Sequence, residues 1–219
     1  ASLDVLKRKS LNLIDGPSVK ELEIKIARIF GKKFALMVNS GSSANLLGLA
    51  AFEFKKGSEI ITPALTFSTT VAPIYQLGYV PHFIDVGRSN YIANIEQIEK
   101  CINKNTVAIM IPNLLGNVPN WIKIKKIAKK YNLKIIEDSA DTLGASIGNK
   151  PTGIFSDISI TSFYGSHIIS CAGNGGMFLT NNKKYYERAK VLRSWGRMST
   201  LIKDSENINK RLNIKLKGV

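Results

Sequence analysis

The sequence predicts an α/β fold, a three-layer α/β/α arrangement about a mostly parallel sheet, and two observations carry that prediction. Periodicity switches repeatedly along the 219 residues from short apolar runs to amphipathic stretches, the alternation of a parallel sheet with its covering helices. Hydrophobic residues make up 44% of the chain and mean hydropathy is zero, enough to bury a core in one domain or one and a half.

The elements follow in order. A first helix, "SVKELEIKIARIF", opens on a capping box of Ser18 and Glu21 and stops at Gly31. The apolar run 34–38, "FALMV", is a buried strand that runs into "NSGSSANLLGLAAF", a Ser- and Gly-rich loop opening a helix. Strand 59–64, a helix over 68–77, strand 80–86 and helix 94–102 continue the alternation. Strand 106–111, helix 119–131 and strand 133–138 follow, then a turn-rich stretch after Ala140. Strand "ISITSFY", a short strand "GMFLT" and a helix over 182–194 close the patterned part. Beyond Gly196 the text is polar, and "RLNIKLKGV" closes no element.

Thirty-one Lys and Arg against sixteen Asp and Glu give a formal charge of +15. The lysines spread over wet helix faces: in "IKIKKIAKK", Ile122, Ile124, Ile127 and Ala128 form the apolar side. No cluster of aromatic and arginine residues accompanies them, so nucleic acid is not the expected partner. The two cysteines, Cys101 and Cys171, have no metal-type spacing and build no disulfide framework, which points to a reducing cytoplasm and no metal. Neither a signal-peptide pattern nor an apolar run near 18 residues is present, so no membrane association is expected.

Three strand ends are chemically loaded, and ligands of open parallel sheets gather at such ends. After strand 34–38, Gly41 permits close backbone approach while Ser42 and Ser43 offer hydroxyl and N–H groups at a helix N-terminus, a seat for phosphate or a plain cap. At the end of 133–138, Asp138 suits a helix cap, a metal ligand or the partner of a cationic ring, and Asp141 lies three residues on. Ser162 closes the next strand, and five residues later comes His167, followed by Gly173, Gly175 and Gly176. By itself such a histidine is more often a satisfied structural residue than a catalyst. Neither GxGxxG after the first strand nor GxxxxGK[ST] occurs, so dinucleotide and P-loop folds lack their fingerprints.

Taken together, "NSGSSANLL", "TPALTFSTTVAPI", "IEDSADTLGA", "GIFSDISITSFY", "GGMFLT" and "LRSWGR" resemble, in order and spacing, the DegT-type sugar aminotransferase and dehydratase family. These are vitamin-B6 enzymes of the fold-type I class that act on nucleotide-linked keto sugars. The resemblance implies pyridoxal or pyridoxamine phosphate as cofactor, its phosphate held by Gly41, Ser42, Ser43 and Ser162. Asp138 would pair with the pyridinium nitrogen, Phe67 would stack on the ring, and Asp141 would stand near the ring hydroxyl, where the aminotransferases often carry Gln.

His167 occupies the position of the aminotransferases' Schiff-base lysine, and imidazole forms no stable imine. The chain is thereby similar to the 3-dehydratases of 4-keto-6-deoxyhexoses, which hold pyridoxamine phosphate without a covalent bond. That subset implies removal of the sugar C3 hydroxyl with His167 as base and acid. The related iron–sulfur dehydrases carry four cysteines near "ED" and after "WGR", where this chain reads Ser139, Ala140 and Met198, Ser199, Thr200. The implied partners are a nucleotide-linked 4-keto-6-deoxyhexose and an amino donor such as glutamate. An aminotransferase-like activity and a catalytically silent cofactor-binding paralogue are the alternatives. Asn174 replaces an acid found in relatives, the spacing from His167 to Gly175 is one residue longer, and Asn113 stands where many carry His. Residues 1–219 are expected to be the large cofactor-binding domain of a longer protein, a homodimer when full length.

Overall fold

The computed structural model describes residues 2–7 and 15–202, so "RLNIKLKGV" lies outside the described residues. After a short helix α1 (Ser2–Lys7) come α2 (Pro17–Phe30), β1 (Phe34–Val38), α3 (Gly41–Ala50), β2 (Glu59–Pro63), α4 (Ser68–Gln76) and β3 (Val80–Ile84). They are followed by α5 (Ile95–Cys101), β4 (Thr106–Pro112), a 3₁₀ turn (Leu114–Gly116), α6 (Trp121–Lys130) and β5 (Lys134–Ser139). A small hairpin, β6 (Ser146–Ile147) and β7 (Lys150–Pro151), precedes β8 (Ile158–Ser162), β9 (Gly176–Thr180) and α7 (Lys183–Arg193).

Seven strands form one sheet in the order β1-β9-β8-β5-β4-β2-β3. β8, β5, β4, β2 and β3 run parallel, and β9 alone runs antiparallel to both its neighbours. All the parallel strands therefore end on one edge, where β9 begins. Buried apolar clusters cover both faces among the described residues. Leu36, Ile60, Met110, Ile136, Ile160 and Phe178 pack with Ala44 and Leu49 of α3 and Ile74 of α4, while Ile61, Ile109, Ile111 and Ile135 pack with Ile98 of α5 and Trp121 and Ile124 of α6. The α/β/α sandwich with a mostly parallel sheet is the predicted architecture.

Several local expectations change. Helix α2 starts one residue earlier, with Pro17 in its first turn and Gly16 at the N-cap without a side-chain bond, so Ser18 and Glu21 form no capping box. Proline's fixed φ suits the first helical position, which moves Ser18 inside the helix, and Glu21 pairs instead with Lys25 at 2.7 Å. Gly31 does end the helix, with φ 64°. In α6 the buried face is Trp121, Ile124 and Ala128, whereas Ile122 is 43% exposed. Residues 121, 124 and 128 share one side at helical spacing, and 122 is rotated by about 100° from it. The strand predicted through Tyr164 stops at Ser162, because Phe163 donates its N–H to the Gly175 carbonyl and accepts from the Cys171 N–H.

Alternation along β5 sends Ile136 and Asp138 to the α3 face and Ile135 and Glu137 to the α6 face. Below Glu137 lies a buried ionic network. Ser159 Oγ donates to Glu137 Oε2 at 2.8 Å, Ser156 Oγ reaches the same oxygen at 3.3 Å, and the Lys32 ammonium donates to the Ser156 carbonyl at 2.6 Å. Burial brings the Lys32 ammonium down to about 8, against the pull of Glu137 and Asp157. The folded chain thus holds fewer protons than the unfolded one between pH 8 and 10.5, so Lys32 adds stability as pH rises through that window and costs it below. We expect the stability difference between the natural protein and Lys32→Met, read from urea midpoints, to move towards the natural protein by about 3 kcal/mol across that range. A difference independent of pH would contradict the assignment.

Candidate functional site

The three loaded sequence stretches meet at the C-terminal edge of the sheet. α3 begins there because Ser40 caps it: its Oγ accepts the Ser43 N–H at 3.1 Å and contacts the Ser43 hydroxyl at 3.0 Å. Ser43 is thus engaged within the cap, while Gly41 and Ser42 carry the first two N–H groups of the helix, which have no intrahelical acceptor. The helix start is pressed onto the sheet. A Cβ on Gly41 would lie 2.7 Å from Ser162 Cβ and 3.1 Å from its Oγ, and a Cβ on Gly176 would collide with the Ser40 carbonyl and the Gly41 nitrogen. Glycine at both positions therefore sets the helix N-terminus beside the Ser162 hydroxyl, a cradle for an anion.

Asp138 lies one strand away and is 4% exposed. Its Oδ2 accepts from Asn45 Nδ2 and Thr70 Oγ1, both at 2.8 Å, and its Oδ1 accepts the Ala140 N–H at 3.1 Å. A carboxylate has about four acceptor positions, so one more N–H fits. Burial pushes its proton affinity up; the bonds from Asn45, Thr70 and Ala140 pull it down, and the charge of Asp141 raises it again. A cationic donor at the remaining position offsets the desolvation. The reading of Asp138 as a helix cap is not what the structure shows, since its bonds go to α3, α4 and the following turn.

Asn45 sits one turn into α3 from Gly41, and Thr70 sits one turn into α4 from Phe67. Each was legible as a polar residue on an otherwise apolar helix face, and sequence reasoning passed over both. Phe67, at the N-cap of α4, is 68% exposed, a flat apolar face presented beside Thr70.

His167 rides on the loop whose feet Phe163 ties together. Its ring meets Tyr164 edge to face with centroids 5.8 Å apart, and its Nε2 lies 3.6 Å from Asp141 Oδ1. Nδ1 is buried without a hydrogen-bond partner among the described residues. Most buried ring nitrogens in folded proteins are hydrogen-bonded, and this one departs from that pattern. Asn113 is fully buried: it donates to Glu137 Oε1 and Ser139 Oγ and accepts from Trp121 Nε1, which makes it a structural hub under the site. Asn174 Oδ1 accepts the Gly175 N–H at 2.9 Å, bracing the loop's exit.

A glycine-framed helix start, a buried carboxylate with an open acceptor position and an exposed aromatic stand at the strand ends of an α/β/α sandwich, the architecture of the large domain of fold-type I vitamin-B6 proteins. The chain belongs to the DegT/DnrJ/EryC1/StrS aminotransferase family, whose model matches residues 3–217. It is 38% identical over 195 residues to dTDP-4-dehydro-2,6-dideoxy-D-glucose 3-dehydratase of Saccharopolyspora spinosa, covering 85% of this chain and 42% of that protein. It is 33% identical over 202 residues to UDP-N-acetyl-3-dehydro-alpha-D-glucosamine 3-aminotransferase of Acidithiobacillus ferrooxidans, covering 92% and 55%. Among solved structures, Escherichia coli GDP-4-keto-6-deoxy-D-mannose-3-dehydratase with bound hydrated PLP superposes with a TM-score of 0.79 at 36% identity, covering 87% of this chain and 49% of that one. The chain spans about half the length of the curated relatives it matches. No helix among the described residues is long and apolar enough to cross a membrane, and no group of His, Cys, Asp and Glu among them is placed to hold a metal.

Proposed function

We propose that the protein is a vitamin-B6-dependent enzyme of nucleotide-sugar metabolism and, more narrowly, a 3-dehydratase of a nucleotide-linked 4-keto-6-deoxyhexose that takes its cofactor as pyridoxamine phosphate. Residues 1–219 would be the large domain of a homodimeric protein. Relatives named as dehydratases and as aminotransferases are both similar to the chain, so the comparisons support the broader reading first. The observation that favours dehydration is His167 at the lysine position, with no lysine between 160 and 182.

The residues fit the cofactor. Gly41 and Ser42 N–H groups and the Ser162 hydroxyl would hold the phosphate. Asp138 would accept the N–H of the protonated ring nitrogen, and Phe67 would cover a ring face. When bound, pyridoxamine phosphate supplies an amine that condenses with the sugar ketone and a ring that accepts electrons. His167 would then take up and return protons, including one to the departing C3 hydroxyl, a task suited to imidazole near neutral pH. Glutamate or a similar donor would restore the amine.

The rival reading, an aminotransferase, needs a lysine from elsewhere. The buried Lys32 does not serve, because it binds Ser156, ahead of β8, and five residues, four of them in the strand, separate Ser156 from Ser162. Full-length protein given pyridoxamine phosphate, glutamate and GDP-, CDP- or dTDP-linked 4-keto-6-deoxyhexoses should yield a product lacking the C3 hydroxyl, detected by mass spectrometry. An aminated sugar with a borohydride-trapped lysine adduct would establish the rival. No turnover with any of these sugars would favour the silent paralogue.

A further inference from the structure

The resemblance places Asp141 near the cofactor hydroxyl, yet the structure turns its carboxylate to His167. We propose that Asp141 is a positioning residue that acts through His167, fixing the orientation of the imidazole with its proton on Nε2. The proposal rests on the reading of His167 as the proton carrier.

Asp141 is held from one side and aimed from the other. Its Oδ2 accepts the Leu115 N–H at 3.2 Å, and its Oδ1 lies 3.6 Å from His167 Nε2. Leu115 donates from a left-handed backbone, φ 53°, a conformation that costs a branched side chain on the order of 1 kcal/mol. Its own side chain is 71% exposed. On the histidine side, the ring is set edge-on to Tyr164 and its backbone N–H donates to the Tyr164 carbonyl at 3.0 Å.

A neutral imidazole has one N–H and one lone pair. Facing a carboxylate, the N–H is attracted and the lone pair repelled, so the proton belongs on Nε2. Nδ1 then carries the lone pair, and it is the buried nitrogen without a partner among the described residues. Asp141 and Tyr164 both face this ring.

The test uses the full-length protein loaded with pyridoxamine phosphate and needs no turnover for its first readout. With ¹⁵N-labelled histidine, and the His167→Asn spectrum to assign signals, the neutral ring should show Nε2–H in the unsubstituted protein and a mixture of the two tautomers in Asp141→Asn. In turnover, Asp141→Asn should cut kcat about 10- to 100-fold and change KM less than about threefold, with Asp141→Glu recovering part of the rate. An Nδ1–H tautomer in the unsubstituted protein, or a tautomer ratio indifferent to Asp141→Asn, would overturn the proposal, and the tautomer of the unsubstituted protein is read even if the asparagine variant fails to fold. Were no sugar turned over, the proposed function would fail while the tautomer still decided the pairing.

Discussion

Replacing His167 with asparagine should lower turnover of the full-length protein by about 10² to 10⁴-fold while leaving affinity for pyridoxamine phosphate within a few fold. Asparagine keeps a polar side chain of similar reach but neither takes up nor releases a proton near neutrality. His167 contributes no bond to the anion cradle, which is built from α3, Ser162 and Gly176, so cofactor binding should survive. Single-turnover rates and an absorbance titration of the cofactor would separate the two effects. An unchanged rate would remove His167 from the chemistry, and a rate lost together with cofactor affinity would make it a structural residue of the loop.

The second large effect is expected at Asp138, where two substitutions should behave differently. Asp138→Asn keeps an acceptor oxygen for Asn45 and Thr70 and removes a buried charge whose desolvation opposes ionisation. Its fold stability should therefore stay within about 2 kcal/mol of the natural protein. Its turnover should nonetheless fall by about 10² to 10³-fold, because a neutral amide does not hold a protonated ring nitrogen in place. Asp138→Ala should lose both properties. It strands the donors of Asn45, Thr70 and Ala140 in a buried site, each costing about 1 to 3 kcal/mol. Urea denaturation beside single-turnover rates would show the contrast, and an asparagine variant that turned over normally would separate Asp138 from the ring nitrogen.

Much of this was legible in the chain. The runs at 34–38, 106–111 and 133–138 announce buried strands because apolar continuity is a local property, and β1, β4 and β5 lie there. Gly31 ends its helix as read, since only a residue at ease with positive φ closes a helix that way. The capping box at Ser18 failed because its pattern competes with Pro17, and the stronger constraint, a fixed φ, decided where the first turn begins. Ile122 failed because one apolar residue at a helix start does not say which side faces the sheet; Trp121 decided that by reaching Asn113.

The site divides in the same way. The sequence by itself determined which residue types stand at each strand end: the Ser and Gly of α3's start, Asp138, Ser162 and His167. Those follow from order and spacing along the backbone. Only the tertiary structure decided their partners. Asn45 and Thr70 reach Asp138 across 93 and 68 residues, and the carboxylate of Asp141 meets His167 from a different strand's loop. Spacing of 2 or 3.6 residues tells which face a side chain takes, but not which distant element will cover that face. That depends on the order in which parallel strands lie side by side, and the sheet settles it by burying Asp138 where only two helices and one turn can satisfy it.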